Sequence, residues 1–375
     1  GDDFTGSTDA MDAFTGAGVP TVLFLEPPRP EQLKHFPDAR CVGLAGLSRG
    51  QTPEWMDREL PRAFSSLAKL GAPILQYKVC STFDSSPAIG SIGRAIDLGT
   101  QVMDGAWSPM VVGAPRLQRF QAFGNLFAAA DGAVHRLDRH PTMSRHPVTP
   151  MGEADLRLHL GRQTDRRIEL IDLAQIGRGI GQARCEALRG DDCPVVMLDV
   201  CDDLTQREVG RLVWDNRGAG IFSASSSGLQ YALVAHWRAL GLIPAQTALP
   251  PAAPVPCIAA VSGSCSPMSA AQIAWAQANG FHTARLDVAQ CFDDDLAERE
   301  IERLAAEAVA SIAKGVSAIV YSAQGPDDPA VTSFDAWAAS AGISRAEGAL
   351  RVGRALAEIM RRILDRSGVR RVVVA

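Results

Sequence analysis

Reactive side chains are crowded into the first ten residues of the chain. Three carboxylates, Asp2, Asp3 and Asp9, stand there with two threonines, a serine and two glycines. Carboxylates in such a segment could accept hydrogen bonds from substrate hydroxyls, hold a cation, or take a proton from a reacting group. The alternative is a loop whose carboxylates cap a helix or are simply solvated.

The surrounding residues predict that this acidic segment lies on a loop that enters a helix. Residues 10–17 have helical character, and residues 20–25 form an apolar, partly β-branched run that is typical of a buried strand. Ser7 or Thr8 is the predicted N-cap. A helix N-terminus favours an anionic ligand, which three carboxylates would oppose, so we expect them to serve another purpose.

A second group of polar residues follows the strand predicted at residues 73–78. Lys78 ends this strand, and the chain continues through Val-Cys-Ser-Thr-Phe to Asp84 and Ser85. Ligands of parallel α/β sheets collect at the carboxyl ends of strands. Lys78 could pair with a substrate carboxylate, and Asp84 could accept a hydrogen bond from a hydroxyl. The alternative is a polar loop in which Asp84 caps the next helix.

Strands and helices alternate along the chain, which predicts an α/β fold. A length of 375 residues suits two domains, each a mainly parallel sheet flanked by helices. We expect the first domain at residues 1–240 and the second at residues 257–375. Residues 241–256 contain five prolines and are the predicted linker, because proline-rich connectors are extended and fairly stiff.

The composition argues against several classes of protein. A net charge of −5 does not favour nucleic-acid binding, and no apolar run approaches the length of a membrane span. The eight cysteines contain no CxxC pair, and the seven histidines have no metal-ligand spacing. We therefore expect reduced thiols, a cytoplasmic location and no structural zinc. A homodimer is left open.

A glycine- and serine-containing turn opens the second predicted domain. A strand at residues 257–262 leads into Gly263-Ser264-Cys265-Ser266, and a helix is predicted at residues 269–279. A turn between a strand and a helix can bind phosphate through its free N–H groups. The turn is not a Walker A loop, because no Gly-Lys-Ser/Thr follows it.

Together these segments resemble the four-carbon acid sugar kinase family, whose members look like two-domain, ATP-dependent kinases of small sugar acids. The matching segments are Asp-Asp-Phe-Thr-Gly-Ser-x-Asp at residues 2–9, Lys-x-Cys-Ser-Thr-Phe-Asp-Ser at residues 78–85, His-Pro-Val-Thr-Pro-Met at residues 146–151, a serine-rich segment at residues 223–228, and Gly-Ser-Cys-Ser at residues 263–266. The serine-rich segment is expected to be a turn before a helix. It could bind phosphate oxygens through N–H groups and hydroxyls, and the alternative is a plain capped turn.

One segment departs from the family pattern. Arg119 and Gly124 keep the interval of a family arginine and glycine, but Leu117 and Gln118 replace the Asn-Gly that precedes the arginine. This departure resembles the branch that acts on 3-oxo-isoapionate. 3-oxo-isoapionate and 3-oxo-tetronate are therefore two nearly equal candidates for the substrate.

The resemblance implies ATP and Mg²⁺ as cofactors, with a sugar acid and ATP as the small-molecule partners. Asp3 or Asp9 is expected to be the catalytic base, and His146 either lines the anionic site or braces it. Sugar-acid binding is expected from Asp2, Thr5, Lys78, Asp84, Ser85, Arg119 and His146. Nucleotide binding is expected from Gly263, Ser264, Ser266 and Ser322.

The resemblance also implies that a glycine-rich loop holding ATP phosphates follows Ala375. A different class of hypothesis is a non-catalytic protein that binds a sugar acid, since two α/β domains around a cleft also describe binding proteins. A dehydrogenase is poorly supported, because no GxGxxG follows a predicted strand.

Overall fold

Parallel strands and helices alternate through the first of the two units into which the chain divides, residues 1–249 and residues 250–375. Part of the expected linker, residues 246–250, lies outside the described residues, as do Pro147 and Val148 of the proline-rich motif. The computed structural model describes residues 1–130, 132–146, 149–245 and 251–375.

Ten strands and nine helices make up the described part of the first unit. They are, in chain order, α1 (Phe4–Thr15), β1 (Thr21–Phe24), α2 (Pro30–Leu33), β2 (Cys41–Leu44), α3 (Pro53–Ala68), β3 (Ile74–Lys78), α4 (Ile92–Thr100), β4 (Ser108–Met110), β5 (Arg119–Ala122), β6 (Asn125–Ala130), β7 (Ala133–Arg136), α5 (Leu156–Leu160), β8 (Ile168–Ile171), α6 (Leu173–Gly177), α7 (Gly181–Leu188), β9 (Val195–Leu198), α8 (Asp203–Asp215), β10 (Ile221–Ser225) and α9 (Gly228–Ala239).

The strands of the first unit pair mainly in parallel. β1 pairs with β2, β3 with β10, and β9 lies between β4 and β8. The exception is an antiparallel sheet of β5, β6 and β7, which the sequence did not predict. Met56, Phe64, Tyr77 and Phe222 are among the buried side chains that fill the core between the helices and these strands. The predicted α/β class with mainly parallel sheets is confirmed.

The first helix begins earlier than predicted. Asp3 has extended backbone angles, and its Oδ1 accepts the Gly6 N–H at 2.6 Å, so Asp3 is the N-cap of α1. Ser7 and Thr8 lie inside the helix, where their hydroxyls donate to the carbonyls of Asp3 and Thr5. The predicted N-cap at Ser7 or Thr8 was therefore wrong, because the carboxylate of Asp3 fills that role first.

The second unit holds one parallel sheet with the strand order β12-β13-β11-β14. Leu304 of α11 and Ile359 and Ile363 of α14 are buried in its core. Its elements are β11 (Ala259–Ser262), α10 (Pro267–Ala278), β12 (His282–Arg285), α11 (Asp294–Ala313), β13 (Ala318–Tyr321), α12 (Pro329–Thr332), α13 (Phe334–Ser340), α14 (Arg345–Ser367) and β14 (Val372–Val374).

Candidate functional site

The carboxyl ends of β2 and β3 hold the acidic segment between them. Arg49 lies in a short 3-10 turn after β2, and Lys78 is the last residue of β3. The Asp2 N–H donates to the Lys78 carbonyl at 2.9 Å, and the Arg49 N–H donates to the Asp2 carbonyl at 2.9 Å. These backbone bonds bring the start of the chain to the sheet edge at which parallel α/β proteins bind ligands.

Arg49 binds both of the first two carboxylates. Its Nε and Nη2 donate to the two carboxylate oxygens of Asp2 at 3.1 and 2.8 Å, and its Nη1 lies 2.7 Å from Asp3 Oδ2. Asp2 is only 4% exposed. Burial raises the pKa of Asp2, and the hydrogen bonds and charge of Arg49 oppose that rise.

The third carboxylate pairs with the lysine. Lys78 Nζ lies 3.4 Å from Asp9 Oδ2 and donates to the Val79 carbonyl at 2.8 Å. Gly6 lies between the two ion pairs, where a Cβ would stand 2.6 Å from Asp3 Oδ1 and 3.2 Å from Lys78 Nζ. A side chain at this position would therefore crowd both pairs. We call Asp2, Asp3, Asp9, Arg49 and Lys78 the ion-pair cluster.

The loop after β3 is buried and internally bonded. Thr82 Oγ1 donates to Asp84 Oδ1 at 2.7 Å and lies 2.9 Å from Cys80 Sγ. Burial raises the pKa of the Cys80 thiol to about 11, so the thiol stays protonated at neutral pH. Phe83 is fully buried with φ of 56°, a left-handed conformation that turns the loop back on itself.

Ser85 is bonded on all sides by protein groups. It is 1% exposed and donates to the Phe83 carbonyl at 3.0 Å. Gln163 Nε2 donates to its hydroxyl at 2.9 Å, and His159 Nε2 lies 3.1 Å away. Burial lowers the pKa of His159 and favours the neutral ring. These bonds tie the loop after β3 to α5 and to Gln163, which follows it.

Two arginines in the segment between β4 and β6 form no ion pair with a carboxylate among the described residues. Arg119 Nη1 donates to the carbonyls of Leu117 and Gln118 at 3.1 Å, and its buried Nε has no hydrogen-bond partner. Burial lowers the pKa of Arg119, and the Cys80 thiol lies within its electrostatic reach. Within the described ranges, Arg119 forms no ion pair with a carboxylate. This cation is therefore suited to bind an anion.

Arg116 is the second of these arginines. It is exposed, and its guanidinium carbon lies 5.7 Å from the ring centroid of Tyr231, a cation–π contact. Tyr231 belongs to α9 and lies within electrostatic reach of Asp9 and Asp12 on α1. Arg116 therefore contacts a ring that Asp9 and Asp12 influence electrostatically.

Among the described residues, no side-chain hydrogen bond or ion pair joins Thr5, Asp84, Ser85, Arg119 or His146 to the ion-pair cluster. Thr5 is exposed on the first turn of α1. His146 makes local contacts: its Nδ1 accepts the Thr149 N–H at 3.1 Å and lies 3.1 Å from Thr149 Oγ1. Of the two roles considered for His146, these contacts favour bracing its own loop.

The serine-rich segment at residues 223–228 is not the expected phosphate-binding turn. Strand β10 continues through Ser225, and the serines are fully buried. Ser223 Oγ donates to the Pro109 carbonyl and Ser226 Oγ to the Val112 carbonyl, both at 2.7 Å. The prediction failed because these hydroxyls bind the segment of β4 and the residues that follow it.

In the second unit, the glycine- and serine-containing turn ends at a helix cap. Ser266 Oγ accepts the Ser269 N–H at 3.1 Å and caps α10, which begins two residues before the predicted start. Ser269 Oγ donates to Ser264 Oγ at 2.8 Å. Gly263 and Ser266 are exposed, although the Gly263 N–H donates to the Ala375 carbonyl at 2.7 Å and the Ser266 N–H to Ser264 Oγ at 3.3 Å. The hydroxyls and the remaining N–H groups of the turn can reach a phosphate.

A second loop of the same unit lies beside this turn. The Ser322 N–H donates to the Ser262 carbonyl at 2.9 Å, and Ser322 is 5% exposed. Asp328 accepts the N–H groups of Gln324 and Ala330, both at 2.8 Å, and lies within electrostatic reach of Cys265. The carboxyl ends of β11 and β13 thus bring the two loops together.

Of the helices that the structure describes, none is both long and apolar enough to span a bilayer. Within the described residues, no three His, Cys, Asp or Glu side chains are arranged to hold a metal ion.

Sequence reasoning missed Arg49, although a signal was present. The same rule that singled out Lys78, a polar residue after the carboxyl end of a strand, applies to Arg49 after β2. No local pattern assigns a role to Arg116, because its contact with Tyr231 joins residues 115 positions apart.

Two family models match the chain. A sugar-binding N-terminal domain matches residues 1–233, and a nucleotide-binding C-terminal domain matches residues 259–375. The ion-pair cluster lies in the first match, and the turn at residues 263–266 lies in the second.

Curated relatives and solved structures are also similar to the chain. A 3-oxo-isoapionate kinase of Paraburkholderia graminis is 64% identical over all of this chain and 80% of its own length. A 3-oxo-tetronate kinase of Methylobacterium radiotolerans is 32% identical over all of this chain and 83% of its own. A crystal structure of a Haemophilus influenzae protein, 22% identical, superimposes with a TM-score of 0.68 over all of this chain and 84% of its own, and supports the fold.

Proposed function

The chain belongs to the four-carbon acid sugar kinase family, and we propose that the acid it phosphorylates is 3-oxo-isoapionate. It is an ATP-dependent sugar acid kinase. The choice of acid is supported by the identity of 64% to a 3-oxo-isoapionate kinase, against 32% to a 3-oxo-tetronate kinase. Both relatives carry kinase names, which favours a kinase over a non-catalytic sugar-acid-binding protein.

The carboxylate of the acid would bind Arg119. An anion needs a cation whose charge is not already compensated, and Arg119 has a buried Nε without a partner and no ion pair in the described ranges. Lys78 would assist on the side of Asp9, since its pair with that carboxylate is long at 3.4 Å. Asp2, Asp3 and Asp84 would accept hydrogen bonds from the hydroxyls.

Asp9 is the base that the geometry favours. Both carboxylate oxygens of Asp3 are occupied, one by the Gly6 N–H and the other by Arg49. Asp9 has one contact to Lys78, and its side chain is 30% exposed. In the proposed step, a substrate hydroxyl oxygen forms a bond to the γ-phosphorus of ATP, its proton passes to Asp9, and the bond to the ADP oxygen breaks.

The phosphates of ATP would bind the turn formed by Gly263, Ser264 and Ser266, with Ser322 beside it. The hydroxyls of this turn fit an anion as donors, and the carboxylate of Asp328, which lies within electrostatic reach of Cys265, is bonded to the N–H groups of Gln324 and Ala330. Mg²⁺, when bound with ATP, would neutralise phosphate charge, and it typically keeps several waters and phosphate oxygens as ligands. A cytoplasmic location, the limits of the linker and a homodimer stay predictions.

The substrate proposal is tested by ADP release from the protein with Mg·ATP and a panel of acids. The panel is 3-oxo-isoapionate, 3-oxo-tetronate and the reduced parent of each. We expect kcat/KM to be highest for 3-oxo-isoapionate, by roughly 10–200-fold, the discrimination that one extra group in a pocket provides. Equal or faster turnover of 3-oxo-tetronate would contradict the choice of acid.

A further inference from the structure

Arg49 contacts both carboxylates at the start of the chain, and we propose that it is a positioning residue that holds Asp2 and Asp3 as a fixed pair of acceptors for the hydroxyls of the sugar acid. This inference rests on the proposed function, since it assigns a role within the same site. Arg49 itself would not touch the acid.

The first observation is how Arg49 distributes its donors. Nε and Nη2 bind the two oxygens of Asp2 at 3.1 and 2.8 Å, and Nη1 lies 2.7 Å from Asp3 Oδ2. A guanidinium is planar and rigid, so contacts on three of its nitrogens fix both carboxylates in position relative to each other. A lysine ammonium has the same charge but cannot reproduce this fork.

The second observation is that the backbone of Arg49 is itself fixed. Its N–H donates to the Asp2 carbonyl at 2.9 Å, and the Gly90 N–H donates to the carbonyl of the nearby Gln51 at 2.8 Å. Gly90 has φ of 61°, and a Cβ there would stand 2.4 Å from the Arg49 carbonyl oxygen. The close approach that only glycine permits therefore holds the turn bearing Arg49 against the loop after β3.

The third observation is the charge of the group that Arg49 compensates. Asp2 is 4% exposed, and burial already raises its pKa while Arg49 opposes the rise. Without Arg49, the buried carboxylate would lose the partner that favours its charged form, and it would bind a proton at higher pH. A protonated Asp2 would then donate from one oxygen, so the substrate hydroxyls would find one acceptor fewer.

The test compares Arg49→Gln and Arg49→Lys with Arg94→Lys, a control that alters an exposed Arg94–Asp57 ion pair in the same unit. We expect Arg49→Gln to raise KM for the acid by about 10–100-fold, the value of hydrogen bonds to charged groups, and to leave KM for ATP unchanged. KM for the acid in Arg49→Lys should lie between the values of the parent and of Arg49→Gln. The control should match the parent protein.

A pH profile separates positioning from general structural damage. Because the pKa of Asp2 rises in Arg49→Gln, the acidic limb of kcat/KM for the acid should move to higher pH, whereas damage alone would lower the whole profile without moving it. An unchanged KM for the acid in a folded Arg49→Gln protein would overturn the inference. If Arg49→Gln does not fold, full activity of Arg49→Lys would overturn it.

A readout without the sugar acid keeps the inference distinct from the proposed substrate. ¹³C NMR of the labelled Asp2 carboxyl should show its titration midpoint at higher pH in Arg49→Gln than in the parent, because glutamine removes the guanidinium charge that opposes the effect of burial. If the parent protein turns over no acid of the panel, the substrate proposal fails. The titration still tests whether Arg49 controls the charge of Asp2. An unmoved midpoint would overturn the positioning role.

Discussion

The ion-pair cluster of the first unit and the serine turn of the second unit are built from different kinds of groups. In the cluster, five charged side chains neutralise one another, and Asp2 and Lys78 are 4% and 5% exposed. In the turn, the functional groups are neutral hydroxyls and backbone N–H groups, and Gly263 and Ser266 are exposed. One region is already paired, and the other offers donors to an anion.

This difference indicates where specificity lies and how strongly each region responds to substitution. Removing one partner of a buried ion pair costs about 3–5 kcal/mol, whereas removing a helix cap costs about 1 kcal/mol. The hydroxyl pattern of a sugar acid can be read by fixed carboxylates, while phosphates need little more than N–H groups. Substitutions should therefore have larger effects in the cluster than in the turn.

The largest effect is expected for Asp9→Asn in the cluster. Asparagine has nearly the same shape and can still accept a hydrogen bond from Lys78, but it cannot take a proton from the substrate hydroxyl. We expect kcat to fall by about 10²–10⁴-fold, the contribution of a general base. Steady-state ADP release with saturating acid and ATP measures this directly.

Two variants serve as controls for the base assignment. Asp12→Asn changes an exposed carboxylate of the same helix and should leave kcat unchanged. Asp3→Asn keeps a good N-cap residue, so it should lower kcat much less than Asp9→Asn. If Asp3→Asn instead caused the large loss and Asp9→Asn did not, the base would be Asp3. Near-normal turnover in both would remove both candidates.

A smaller effect is expected for Arg119→Met, which removes the uncompensated cation but keeps an unbranched side chain. A charged hydrogen bond contributes about 1.5–3 kcal/mol, so KM for the acid should rise by roughly 10–150-fold. KM for ATP should not change. The matched control is Arg178→Met, at an exposed position after α6 in the same unit. A raised KM for ATP alone would contradict the assignment of Arg119 to the acid.

The elements of the fold were largely predictable because their patterns are local. β3 lies within the strand predicted at residues 73–78, and β11 lies within the strand predicted at residues 257–262. The antiparallel sheet of residues 119–136 was not predicted, because its short strands carry no strong alternation. The start of α1 was missed because an aspartate preceded the serine and threonine that were considered as caps.

The site could be predicted only in part, because its contacts join distant residues. The acidic segment and Lys78 were found from their positions at the ends of strands. The pairing of Arg49 with Asp2 joins residues 47 positions apart, and no local pattern specifies it. Ser85 is buried and bonded to Gln163, 78 positions away, a contact that its motif does not reveal, and its expected role in substrate binding stays a prediction.

The smallest effect is expected for Ser266→Ala in the serine turn. Loss of this cap should lower the free energy of unfolding of the second unit by about 1 kcal/mol, and loss of the hydroxyl should raise KM for ATP by roughly fivefold. Ser344→Ala is the matched control, because Ser344 caps α14 of the same unit by accepting the Glu347 N–H at 3.1 Å.

Both serine variants should lose similar stability in thermal or urea unfolding, but only Ser266→Ala should change KM for ATP. An equal rise of KM in both would assign the effect to stability, and the turn would lose its nucleotide role. A raised KM for the sugar acid in Ser266→Ala would instead contradict the assignment of acid binding to the cluster and ATP binding to the turn. Since the turn offers several neutral donors, loss of one should weaken binding without abolishing turnover.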